Sequence, residues 1–352
     1  MKVLSLMAMV FFSTIVALSA EGGNNPANRY SNSFKAYLGA TFPIPTDHIR
    51  NFVYFARDRE AMRTNAFLEN PRFTGAQIMY PWVLLEPEKG IYDFSAILDD
   101  DRFLASRGKK LFVQLQDATF NPKFNAVPAY LMSKEYDGGA VFQRADDGKP
   151  EGWVAKRWSP KVRARFARLL AALGQALDGK IEGINLQETA IGVATKDDPT
   201  FSGPLYSESV KANMLALKKA FPRSVTMQYA NFMYDEWLPW DDKGYLRSIY
   251  DYGEKIGVGL GGPDLMFTKK GQLNHTIAMM HEGVFTVPLG IAVQDGNYIG
   301  ETGTGRVVAG HKNIVPVLHD FAKDFLRVSY MFWSNQEPYF SQDVIPSFPM
   351  GK

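Results

Sequence analysis

From Phe34 onward, short apolar runs alternate with longer stretches of helical period. The runs are "FKAYLGATFP", "FTGAQIMYPW", "KKLFVQLQD", "IEGINLQE", "SVTMQYAN", "IGVGLGGPD", "VPLGIAVQD" and "RVSYMFW". Their β-branched and aromatic content, and their ends on Gly, Pro or polar residues, predict eight strands buried on both faces, as in a parallel sheet. Between them lie helical patterns. "TDHIRNFVYFARDREAMRTNAF" predicts a helix capped at Thr46 or Asp47. "SPKVRARFARLLAALGQAL" places Ser159 at the N-cap and Pro160 at the first helical position, where its missing N–H costs nothing. "SESVKANMLALKKAF" starts near Ser207, and "YLRSIYDYGEKI" and "HKNIVPVLHDFAKDFL" follow, with Pro316 bending or delaying the last. Strands alternating with helices predict a parallel sheet, and eight strands in one unit predict a closed (β/α)8 TIM barrel, a single domain over 34–352. No G-x-G-x-x-G follows the first strand and no Walker A sequence occurs, which argues against a nucleotide-binding sheet.

Two irregularities modify this picture. The stretch 118–159 is a long insertion after the third strand, and such loops on a barrel's C-terminal face shape binding clefts. Only 19 residues follow Trp333, and "SQDVIPSFPMGK" lacks an amphipathic period, so the last helix is expected to be short or absent.

Residues 1–20, "MKVLSLMAMVFFSTIVALSA", combine a Lys2 n-region, an apolar run and a small residue before a cut after Ala20. This is the pattern of a secretory signal peptide, with an uncleaved anchor as the alternative. Residues 21–33 read as a polar linker. The chain has no cysteine, which excludes a disulfide framework and thiolate chemistry and leans toward a bacterial envelope or exterior. A net charge of +2 gives no footprint for nucleic acid, and no membrane partner is expected after cleavage. Aromatic content is high at 13%, and much of it falls in loop-like stretches such as "YDEWLPWDDKGY", where it either seals loops onto the barrel or faces a sugar.

In a (β/α)8 barrel the chemistry sits where the strands end. The strand ends here are rich in amides and acids: Tyr80-Pro81-Trp82, Gln116-Asp117, Gln187-Glu188, Tyr229 and Asn231, Asp264, Gln294-Asp295, and Trp333 with Glu337 just beyond. Amides both donate and accept, which matches sugar hydroxyls. Two carboxyls across a glycosidic bond supply acid, base or nucleophile, about 5–5.5 Å apart in retaining and 6.5–9.5 Å apart in inverting enzymes. The five histidines show no metal-ligand spacing and read as structural, so neither a metal nor a cofactor is expected. "NHT" at Asn274 formally matches a glycosylation acceptor, and no G-x-S-x-G elbow occurs.

The stretch "IMYPWVLLEPEKGIYDFSAILDD" resembles the segment after the second strand in clan A glycoside hydrolases, on Trp82, Glu86-Pro87 and Gly90 to Phe94. Much of that motif suits a turn and a helix cap at Asp93 or Ser95. The resemblance implies an acid/base glutamate at the end of the fourth strand, a position Glu188 matches with Gln187 in place of the family's Asn. It also implies a Trp at the end of the eighth strand forming the sugar floor, a position Trp333 matches. A nucleophilic glutamate at the end of the seventh is replaced by Gln294-Asp295. Asp295 is then the nucleophile or the base for water, or the second carboxylate lies at Asp264 or Glu337. The expectation is a secreted glycoside hydrolase with Glu188 and Asp295 catalytic. Trp82, Gln116, Gln187, Tyr229, Asn231, Asp264, Gln294, Trp333 and Glu337 are expected around the carbohydrate. The rival readings are a non-catalytic carbohydrate-binding barrel and a polysaccharide lyase. Three of these carboxylates also fit purely structural roles: Glu188 as a cap, Asp264 as a turn residue after Gly-Gly-Pro, and Glu337 as an exposed turn residue.

Overall fold

The computed structural model describes residues 25–145, 147–294 and 312–350. Its strands are β1 (Arg50–Tyr54), β2 (Phe73–Pro81), β3 (Lys110–Gln116), β4 (Ala140–Arg144), β5 (Pro150–Ala155), β6 (Gly183–Leu186), β7 (Val225–Tyr229), β8 (Gly259–Gly262), β9 (Leu289–Val293) and β10 (Tyr330–Ser334). Eight of them close a parallel barrel in the order β1-β10-β9-β8-β7-β6-β3-β2, while β4 and β5 form a separate antiparallel hairpin. The helices are α1 (Arg59–Thr64), α2 (Trp82–Leu85), α3 (Ser95–Ala105), α4 (Pro160–Leu177), α5 (Gly203–Ala220), α6 (Tyr245–Ile256), α7 (Lys270–Asn274), α8 (Thr276–Glu282), α9 (Val315–Asp320) and α10 (Ile345–Ser347). The fold is therefore the single (β/α)8 barrel that the alternation predicts.

Strand alternation divides the core in two. Phe52, Tyr54, Phe112, Met227, Tyr229, Ala292, Tyr330 and Phe332 fill the barrel interior. Their neighbours in the chain, such as Val53, Val113, Ile291 and Trp333, pack outward against the helices. Interior packing sets strand composition. A Cβ at Gly261 would lie 2.0 Å from the Gly290 oxygen, so only glycine lets β8 sit this close to β9. Helix α6 ends at Gly257, whose φ of 76° supplies the left-handed C-cap.

The first strand corrects the sequence reading. The strand is not Phe34–Pro43, which holds only a 3-10 turn at Ser33–Tyr37 and leaves Leu38 and Phe42 exposed. It is Arg50–Tyr54, inside the stretch expected to be one long helix. The run "NFVYF" buries both its faces, Phe52 and Tyr54 inside the barrel and Val53 and Phe55 outside, and a helix could bury only one stripe. The helix that remains, α1, starts at an Asp58 cap whose side chain accepts from the Ala61 N–H.

Helix α5 likewise begins at Gly203 with Pro204 in its first turn, leaving Ser207 buried inside the helix rather than at its start. Ser159 does occupy the N-cap of α4, and Pro316 does delay α9 to Val315. After β10 the helical elements among the described residues are a π turn, Phe340–Val344, and the short α10.

The segment expected as a polar linker is strapped to the barrel from Asn25 on. Tyr30 donates to Glu282, Asn274 donates to the Ala27 carbonyl, and Phe34 stacks on Phe267 with centroids 5.0 Å apart. Asn274, the formal glycosylation acceptor, is buried by these contacts. Among the described residues no helix is long and apolar enough to cross a membrane.

Candidate active site

At the C-terminal mouth of the barrel a cleft of about 420 Å³ opens. One wall comes from the insertion, with Phe120, Arg144 and Glu151. The other follows β7 and β8, with Asn231, Phe232, Tyr234, Asp264 and Gln272. Glu188 stands between them, two residues past the end of β6.

Glu188 is positioned through its backbone and its carboxylate. Arg157, at the end of the insertion, is buried and makes a fork to Asp117, with Nε to Oδ2 at 2.7 Å and Nη2 to Oδ1 at 2.6 Å. Its Nη1 donates to the Glu188 carbonyl at 2.8 Å and to the Tyr206 hydroxyl at 2.9 Å, and that hydroxyl donates to the Thr189 carbonyl at 2.9 Å. The ends of β3 and β6, α5 and the insertion are thus tied at one guanidinium. The Glu188 carboxylate accepts from Asn231 Nδ2 at 2.6 Å. Asn231 is itself fixed, because its oxygen accepts from the N–H groups of Ala190 (3.0 Å) and Phe232 (2.9 Å).

This environment favours the neutral acid. Burial, and then the negative charge of Asp264 in the same cleft, raise the Glu188 carboxyl to about 7, against the opposing effects of the Asn231 hydrogen bond and the Arg157 charge. Tyr54, at the top of the interior core, is also pushed up, by burial and then by Glu188, with Arg57 opposing and Asp264 adding to the rise. Glu188, Asp264 and Tyr54 therefore share one electrostatic neighbourhood.

Below them lies a polar layer of the barrel interior. Gln77 Nε2 donates to Asn185 Oδ1 (3.0 Å) and to the Tyr229 hydroxyl (3.1 Å). Gln114 and Gln116 follow Phe112 at alternate positions of β3 and so face the interior; both amide oxygens are buried without a hydrogen-bond partner among the described residues. Gln294 follows Ala292 in the inward series of β9 and marks the end of the seventh barrel strand.

Several expected site residues serve the scaffold instead. Trp82 is fully buried, packs edge-on against Phe166 at 5.1 Å and donates to Glu86 Oε2 at 2.9 Å. Glu86 also accepts from the Gly90 N–H at 2.9 Å and pairs with Arg165. The family-like stretch is thus a closed buried network under α4. Trp333 points outward too, because it alternates with the inward Tyr330 and Phe332; it donates to Asn51 Oδ1 at 2.8 Å and packs on Phe348, so it does not floor the cleft.

Gln187 spends its oxygen on the N–H groups of Asp117 (3.0 Å) and Ala118 (2.7 Å), not on a hydroxyl. Glu337 is exposed, and its carboxylate accepts from Ser341 within the same turn. Tyr229 lies in the interior layer rather than on a cleft wall. Asp295 lies outside the described residues.

The arrangement can hold a protonated acid beside a second carboxylate, over a floor of hydrogen-bond acceptors. Sequence reasoning missed Tyr54, Arg157, Gln77 and Glu151. Tyr54 lies in a stretch whose apolar spacing also fits a helix, so the inward alternation of a strand does not show there. Arg157 and Glu151 belong to the insertion, whose fold has no periodic signal.

The sequence matches no protein-family model and no curated relative. Solved structures do share the fold. The GH5_18 protein of Streptomyces cattleya, in complex with Manb1-4GlcNAc, aligns with 81% of this chain and 70% of its own at 14% identity and a TM-score of 0.55. The catalytic domain of beta-amylase from Paenibacillus polymyxa aligns with 86% of this chain and 99% of its own, at 9% identity and TM-score 0.54. Endo-glycoceramidase II from Rhodococcus sp., as a lactosyl-enzyme intermediate, aligns with 82% and 73%, at 13% identity and TM-score 0.53. The chain thus has the (β/α)8 fold that these glycoside hydrolases share.

Proposed function

We propose that the chain is a glycoside hydrolase, with Glu188 as the general acid. The observation that carries this reading is the placement of Glu188, held by Asn231, in one cleft with Asp264, where burial and the second acid favour its neutral form. A general acid must hold its proton at the working pH, and burial beside a like charge is how proteins arrange that. The acid would protonate the glycosidic oxygen as the bond to the leaving sugar breaks.

Asp264 is the second carboxylate that the cleft best supports, as nucleophile or as base for water. Asp295, one residue past Gln294, is the alternative that the strand order suggests. Gln116 and Gln294 suit the sugar hydroxyls around the reacting bond, and Asn231 acts through its hold on the Glu188 carboxylate. The Manb1-4GlcNAc and lactosyl groups bound by the neighbouring folds make β-linked glycans sensible first substrates. The leader at residues 1–20 would send the enzyme out of the cell, consistent with a polymeric substrate.

The test is hydrolysis of a polysaccharide panel by the wild type, Glu188→Gln, Asp264→Asn and Asp295→Asn, read as reducing ends released. Glu188→Gln is expected to lower kcat/KM at least about a hundredfold, the usual contribution of acid–base assistance. Whichever aspartate acts as partner gives a comparable loss. A wild type that cleaves, with Glu188→Gln equally active, sinks the assignment. Binding without turnover would instead favour a carbohydrate-binding barrel, and an unsaturated product absorbing in the ultraviolet would favour a lyase.

A further inference from the structure

We propose that the loop after β7 carries a distal binding platform for a neutral glycan chain, built from Phe232, Trp237, Trp240 and Gln272 and continuous with the cleft. The proposal deepens the reading of that cleft as a carbohydrate site and rests on it. Phe232 and Gln272 line the cleft itself. The Trp237 ring lies nearly parallel to that of Phe232, with centroids 5.7 Å apart and planes 12° apart, so the apolar wall of the cleft continues onto Trp237. Trp237 remains 54% exposed and Trp240 60% exposed. Large aromatic rings held in water lose the free energy of burial that rings in a core gain.

The loop is built to hold them there. The buried Glu236 carboxylate accepts from the N–H groups of Lys243 (3.1 Å), Tyr245 (2.9 Å) and Leu246 (2.8 Å). Trp237 and Asp241 exchange backbone hydrogen bonds at 3.1 and 2.9 Å. The His275 ring accepts from the Leu238 N–H at 3.1 Å.

Two further observations point to the occupant. Gln272 has a buried side-chain oxygen with no hydrogen-bond partner among the described residues, an acceptor awaiting a donor such as a hydroxyl. The charges on the loop are engaged locally: Lys243 pairs with Asp235 (2.5 Å) and Asp241 (3.4 Å), and Arg247 with Asp242 (3.1 Å). Apolar ring faces beside a lone acceptor suit the C–H face and hydroxyl edge of an uncharged pyranose. A platform leading away from the scissile site favours attack within a chain rather than at its end.

The test is affinity electrophoresis through gels containing a soluble glucomannan, β-glucan, xylan or starch, which needs no turnover. At least one neutral polysaccharide is expected to retard the wild type and Glu188→Gln alike. Trp237→Ala combined with Trp240→Ala should weaken that retardation roughly tenfold, the loss of about one good apolar contact. Trp237→Phe, which keeps a stacking face, should retain most of it. Val284→Ala, which trims an apolar side chain 91% exposed elsewhere, should change nothing. Equal retardation of the double variant overturns the platform and leaves the hydrolase reading standing. Retardation of the wild type by none of the four also overturns it. Retardation lost in the double variant without any hydrolysis by the wild type would keep the platform and remove the hydrolase.

Discussion

Glu86 and Glu188 are two glutamates near the ends of barrel strands, and they have opposite surroundings. Glu86 sits in the stretch that most resembles a known family. It is fully buried, paired with Arg165, and accepts from Trp82 and Gly90. Nothing about it is left for a substrate. Glu188 carries a less distinctive sequence, accepts from Asn231, and faces a cleft that also holds Asp264. A carboxylate surrounded by donors is stabilised in its charged form and builds structure. One held near another acid, with burial against it, keeps a proton and can deliver it. Satisfaction of the group, rather than recognisability of its motif, separates the scaffold from the chemistry.

The largest effect expected from this contrast is on stability at the Glu86 end. Glu86→Gln leaves the Arg165 guanidinium buried without its counter-charge, and breaking such a pair from one side costs about 3–5 kcal/mol. Urea unfolding at neutral pH measures it. A loss below about 1 kcal/mol would show that Arg165 finds water or another partner, and that the network is less closed than its geometry implies. Glu188→Gln should show the reverse pattern, with activity lost about a hundredfold or more and the fold intact.

The same contrast explains what was legible in the sequence. Strand alternation with helices reveals the closed barrel, because a parallel sheet buried on both faces writes continuous apolar runs. Counting those runs places Glu188 at a strand end. The count does not depend on which run forms the first strand: it lies at Arg50–Tyr54 rather than Phe34–Pro43, since an apolar run such as "NFVYF" fits either period until its partners are known. Side-chain direction is less legible. Trp82 and Trp333 both stand at strand ends, yet both face the helices, and a shift of one residue separates the cleft from the outer core. Contacts between distant segments, such as Arg157 with Asp117 and Glu188, leave no periodic trace at all.

Asp264→Asn gives a finer probe of the Glu188 side. After burial, the charge of Asp264 is the largest influence raising the Glu188 carboxyl, so its removal should lower that group's pKa from about 7. The fall follows because a neighbouring like charge disfavours the charged form. Carboxyl-selective 13C NMR titration reads it directly, whatever the activity of the variant. An unchanged midpoint would place Asp264 outside the reach of Glu188 and return the second carboxylate to Asp295.

The smallest effect concerns stability and pH at Glu188 itself. Burial, and then Asp264, push its carboxyl up from the ordinary 4.5 of an unfolded chain to about 7 in the folded one. Below 4.5 both states hold the proton, and the folded state bears no penalty. Between 4.5 and about 7 the unfolded chain sheds its proton first, so stability falls as pH rises, and the loss is complete above about 7. Glu188→Gln keeps the shape but cannot ionise, and Gln still accepts from Asn231. The variant should therefore match the wild type near pH 4 and exceed it near pH 8 by about 1–2 kcal/mol, the linkage value discounted for the solvent that reaches the cleft. Urea unfolding at the two pH values decides it. A difference that stays constant with pH would mean that the Glu188 carboxyl is as well satisfied when charged as Glu86, and the distinction between the two glutamates would fall.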